Sequence, residues 1–113
     1  MSGIMENNVV VLHNVNAFTG QYPPPPPAFK PVFGMSDPRC DEWDDKHLSV
    51  VFAIGNGAPG MGEWENAMSG LYYAGRIRSL SVSDVVVLNG RYYRCDSYGW
   101  SDLGTNPDIE VRL

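Results

Sequence analysis

Asn89-Gly90 is the feature that most constrains what this chain can fold into. It stands between Val85-Val86-Val87-Leu88 and Arg91-Tyr92-Tyr93-Arg94. A two-residue hairpin loop of type I′ needs positive φ at both central residues, and Asn followed by Gly supplies it. So short a loop also fixes the register. Leu88 then faces Arg91, Val87 faces Tyr92, Val86 faces Tyr93 and Val85 faces Arg94. Valine opposite tyrosine recurs on both faces, a favourable cross-strand pairing. With apolar groups on both sides, the hairpin over residues 84–96 belongs in the interior of a sheet.

Other segments supply its neighbours. Residues 8–13, Asn-Val-Val-Val-Leu-His, are rich in β-branched residues and barely alternate, as in a strand covered on both faces. Residues 28–35 read as a short edge strand whose pairing Pro31 limits. Leu80 to Ser83 leads into the hairpin, and Ile109 to Leu113 is expected to close the sheet. Asp37-Pro38 starts a helix, with Asp37 as cap and Pro at the first helical position. Trp43, His47, Val50, Val51 and Ile54 give it an apolar stripe, and Gly55-Asn56-Gly57 ends it. The competing reading makes Leu48 to Ile54 a β-prone strand. Residues 55–70 form a glycine-rich loop, with a helical turn over Glu63 to Leu71. The fold class is therefore α+β: a small, mostly antiparallel sheet around the central hairpin (84–96), with one principal packed helix at about 38–55.

At 113 residues the chain suits a single domain over 1–113. Pro23 to Pro27 follow Tyr22 and force an extended stretch at 22–27. Such a rod serves either as a ligand for an aromatic groove or as a stiff connector on the domain's own surface. The net charge of −5 argues against phosphate-driven nucleic-acid binding. No apolar run reaches membrane-spanning length, and the N-terminus lacks a basic start and a cleavage site. Cys40 and Cys95 read as free thiols of a reducing, cytoplasmic compartment. With His13 and His47 they make no metal-ligand spacing, so neither metal nor cofactor is expected.

Candidate chemistry is sparse. Ser97 is outside any nucleophile elbow and needs a base from His13 or His47. Asp84 and Asp96, near the ends of paired strands, are candidate carboxylates of a small hydrolase or nuclease, and otherwise bond to local backbone. The acidic residues at 41–45 read as a solvated helix face. Tyr72, Tyr73, Arg76, Arg78, Tyr92, Tyr93, Arg94, Tyr98 and Trp100 concentrate the residue types of binding hot spots. About half of them are expected in the core, Tyr93, Tyr98 and Trp100 foremost. Arg76 and Arg78 are expected outside. The candidate binding surface comprises Tyr22, Pro25, Tyr72, Tyr73, Arg76, Arg78, Arg94 and Tyr98.

Residues 79–103, SLSVSDVVVLNGRYYRCDSYGWSDL, resemble the core of the YodL-like domain. That family has the shape SLSVSDVVVL, a turn, then Y-x-x-DS-x-G-F/W, and weaker similarity extends back to about residue 48. The proline-bearing segment AFTGQYPPPPPAFKPVF resembles its phage versions. The resemblance implies a compact mixed domain from a bacteriophage or mobile element, with no reaction attached. The expected function is a non-enzymatic accessory protein that binds a host or phage protein. The alternatives are a phage structural or assembly component, self-associating through the proline rod and termini, and the small hydrolase or nuclease above.

Overall fold

The computed structural model describes residues 4–113. Five strands, β1 (Val9–Asn14), β2 (Phe29–Met35), β3 (Val85–Leu88), β4 (Arg91–Cys95) and β5 (Trp100–Gly104), form one antiparallel sheet in the order β2-β1-β3-β4-β5. The fold class is α+β, as the patterning implies. The β3–β4 register is Val85↔Arg94, Val86↔Tyr93, Val87↔Tyr92 and Leu88↔Arg91. Asn89 and Gly90 both take positive φ, 48° and 85°. Asn89 does more than turn the chain: its Nδ2 donates to the carbonyls of Cys40 and Trp43.

All six residues of β1 are buried, because β1 lies between β2 and β3 and both sheet faces are covered. On the first face Val9, Val11, Val86, Leu88 and Tyr93 pack against Leu48, Val51, Ile54 and Tyr72 of the helices. On the second, Val10, Leu12, Phe29, Val85 and Val87 are covered by Ile4, Met5, Ile109 and Val111. Burying each such aliphatic side chain contributes about 1.5–3 kcal/mol relative to leaving it exposed. The turn at residues 4–7 crosses β2 at Gly34. A Cβ there would lie 2.3 Å from Asn7 Nδ2, so a side chain at this position would have to displace the Asn7 amide.

The helical layer differs from expectation. The helix predicted at about 38–55 is realised only at its end, as α1 (Leu48–Ile54). Asp37 does cap Pro38–Cys40, with Arg39 N–H donating to Oδ1 at 2.9 Å, but that element is a single 3-10 turn. Asp44 then caps a second turn, Asp45–His47, accepting from Lys46 N–H, while its own N–H donates to His47 Nδ1. A side chain that bonds local backbone favours a cap over a helix interior, so the acidic run breaks the helix. The longest helix is α2 (Glu63–Ala74), inside and beyond the supposed glycine-rich loop. Glu65 accepts from Gly62 N–H to close its first turn, and Trp64, Met68 and Tyr72 form its inward stripe. The sheet is closed by β5, and residues 109–113 contribute a single parallel bridge, Val111 to Phe29.

Candidate protein-binding surface

The strand directions bring three loops to one end of the sheet: 15–28 after β1, 75–84 before β3, and 96–99 between β4 and β5. Asp84 fastens them. Its carboxylate is fully buried and receives both Arg78 guanidinium nitrogens at 2.7 Å. It also accepts from Asn14 N–H (2.9 Å) and Ser81 N–H (2.8 Å). Arg78 donates further to the carbonyls of Ser79 and Asn14, and the Phe18 ring lies 4.9 Å from its guanidinium carbon. Tyr72 O–H donates to the Arg78 carbonyl at 2.8 Å, so His13 Nε2 must carry the proton it shares with that hydroxyl, also at 2.8 Å. Burial pushes the His13 pKa below its usual value; Asp84 opposes this and Arg78 reinforces it. Burial likewise raises the Tyr72 phenol well above its ordinary range.

This arrangement corrects two expectations and bears out the reading of Asp84 as a carboxylate bonded to backbone. Tyr72 is fully buried and cannot belong to a binding surface. Arg78 is only one-third exposed, with its guanidinium engaged by Asp84. Asp84 is a structural carboxylate facing inward, its four bonds joining β1, β3 and the loop after α2.

The remaining candidates lie further out. Tyr22 and Tyr98 are 97% and 99% exposed, so Tyr98 is not the core residue its neighbours suggested. It caps a two-residue turn closed by Asp96 N–H to Gly99 C=O at 2.9 Å. Phe18, at 67%, joins them with Val15 and Val82 on the same end. Tyr73 is partly exposed, its hydroxyl bonded to the Gly55 carbonyl and Ser79 Oγ. Arg76 is exposed with φ 56°, Arg94 is paired with Asp96 and Ser101, and Pro25 is half-buried. Pro26 and Pro27 line a cleft of about 520 Å³ on the second sheet face, with Phe29, Val85, Leu103 and Ile109. That end of the proline segment thus lies on the domain's own surface, while Tyr22 projects.

No known family model, curated protein or solved structure matches the chain. Chemistry must therefore be judged from geometry alone. Ser97 lines a depression of about 250 Å³ with Ser49, Phe52, Cys95, Asp96, Gly99 and Trp100, and no histidine reaches it. His13 is bonded to Tyr72 inside the fold, and His47 to Asp44. Asp96 is held by Arg94 and by a short bond from Ser101; that bond is the main cause of its lowered pKa. The structure thus brings neither Asp84 and Asp96 nor Ser97 and a histidine into one site. Among the described residues no group of three or more His, Cys, Asp or Glu is placed to hold a metal. No described helix is long and apolar enough to cross a membrane. The sequence reading missed Val15, Phe18 and Val82, whose only signal is apolar character inside loops.

Proposed function

We propose that this chain is a non-enzymatic accessory protein of a bacteriophage or mobile element, acting by binding another protein inside the bacterial cytoplasm. One observation carries the binding reading. Five large apolar side chains, Val15, Phe18, Tyr22, Val82 and Tyr98, are exposed on three loops at one end of the sheet. Isolated exposed apolar residues are ordinary, but several on loops at one end of a sheet favour an interaction surface there. Tyrosine is a frequent anchor at such surfaces, giving large contact area at little loss of side-chain freedom. The bonds around Asp84 hold the bases of these loops, so the surface is presented on a rigid support. The biological setting is supported by the resemblance of residues 79–103 to the YodL-like domain.

The test is affinity purification of the tagged protein from infected bacterial cells, wild type against the double variant Tyr22→Ser/Tyr98→Ser. Both side chains are almost fully exposed, so the variant keeps its melting temperature. A partner recovered with the wild type and lost with the variant supports the reading. Identical recoveries from both proteins refute it.

A further inference from the structure

The two edges of the sheet are unequal. At β2 the C-terminal segment pairs with Phe29, through Phe29 N–H to Glu110 C=O (2.9 Å) and Arg112 N–H to Phe29 C=O (2.7 Å). At β5 no further strand pairs with the outer edge among the described residues. Asp96 and Gly99 form the hydrogen-bonded pair that closes the β4–β5 turn. Antiparallel alternation then turns the backbone groups of Trp100 and Asp102 outward, to the free edge.

The side chains of those same two residues line a cleft of about 240 Å³ with Asp45, Leu48 and Tyr93. Tyr93 is 7% exposed, and its hydroxyl has no hydrogen-bond partner among the described residues. No described buried polar atom is both sealed from solvent and unpartnered, so this hydroxyl opens to the cleft it lines. Burial raises the Tyr93 pKa first, then Asp102; Arg91 opposes, and Asp45 and Asp44 add to the rise. Two carboxylates, Asp45 and Asp102, line this cleft, and Asp102 is already paired with Arg91 on the surface. Asp45 has no ion-pair partner among the described residues.

We infer that β5 accepts an extended, basic segment of a partner protein, which adds to the sheet edge and seats an arginine or lysine between Trp100, Tyr93, Asp45 and Asp102. A residue paired across from Trp100 or Asp102 shares their face of the sheet, so its side chain enters the cleft. Aromatic walls and carboxylates together suit a cation, by cation–π attraction and by charge. A second copy of this chain fits worse, since it would bring a net charge of −5 to a cleft already lined by Asp45 and Asp102. The inference goes beyond the loop-end reading and concerns a different surface.

The experiment titrates ¹⁵N-labelled protein with a capped octapeptide of alternating threonine and arginine, and with its threonine–glutamine counterpart. Amide shifts are expected at 45–48 and 100–104 with the arginine peptide, weakening with salt. Asp45→Asn and Asp102→Asn should each lower affinity roughly two- to fivefold, the range of a surface ion pair. Tyr22→Ser/Tyr98→Ser should leave peptide affinity unchanged, so this surface can fail or stand apart from the loop end. The Asp45 carboxylate forms no hydrogen bond with another described residue, and its backbone carbonyl keeps the Leu48 N–H in the variant, so Asp45→Asn preserves the unliganded spectrum and isolates the charge. Equal binding of the glutamine peptide, absence of shifts at β5, or self-association in place of a peptide response would each overturn the proposal.

Discussion

Replacing Arg78 with methionine removes the cation from a carboxylate that has no access to water. Asp84 loses two charge-assisted bonds of 2.7 Å and keeps only the N–H groups of Asn14 and Ser81. Breaking a buried pair from one side costs about 3–5 kcal/mol. Arg78 is 32% exposed, so water reaches part of the pair, and the lower end, about 3 kcal/mol, applies. A chain of 113 residues loses about 4 °C of melting temperature per kcal/mol, giving a drop of about 12 °C. Urea unfolding followed by tryptophan fluorescence measures the same loss as a lower midpoint with unchanged slope. The double variant Arg78→Met/Asp84→Asn leaves no charge stranded and should be more stable than the single variant by about 1–2 kcal/mol. The reasoning fails if Arg78→Met lies within about 0.5 kcal/mol of wild type, the range of an ordinary surface change. It fails equally if the double variant is no better than the single one.

Two further outcomes follow from the same geometry. His13 is held neutral by burial, with a pKa below the ordinary value, whereas the unfolded chain takes up the proton near about 6.5. Its contribution is therefore complete above that pH and is lost as pH falls from there through the folded-state value. His13→Gln keeps a donor for Tyr72 and should flatten the urea midpoint between neutral and mildly acidic pH; an unchanged slope would refute the assignment. Asn89→Ala loses both bonds to the Cys40 and Trp43 carbonyls and strains a residue at φ 48°, an expected cost of about 2–3 kcal/mol. Asn89→Gly relieves the strain but not the lost bonds and should recover about half, as denaturation of the two variants side by side would show.

The central hairpin was legible because its information is local: two turn residues between a continuous valine run and a tyrosine-bearing return strand determine the register without help from elsewhere. β1 was legible for a related reason, since a run without alternation fits a strand covered on both sides. The helices were harder. The acidic residues at 41–45 suit a helix dipole, yet Asp44 found better partners in the Lys46 N–H and, through its own N–H, in the His47 ring. Gly62 and Gly70 hid α2, although Trp64, Met68 and Tyr72 recur at helical spacing across them. Of the candidate surface, Tyr22 lies where expected, and Tyr98 is exposed although its aromatic neighbours placed it in the core. Arg78 departs from expectation because Asp84 engages its guanidinium, and Tyr72 departs because it lies on the inward stripe of α2 with its hydroxyl bonded to His13 and the Arg78 carbonyl, contacts that no local pattern records.

The pairing of Glu110 and Arg112 with Phe29 has a consequence for stoichiometry. Pro31, which has no N–H to offer, adds to it further along the same strand. A molecule able to extend hydrogen bonding in only one direction terminates whatever it joins. With Phe29 already engaged and Pro31 lacking a donor, a strand arriving at β2 finds fewer partners than one arriving at β5, which disfavours relay of growth from one subunit to the next.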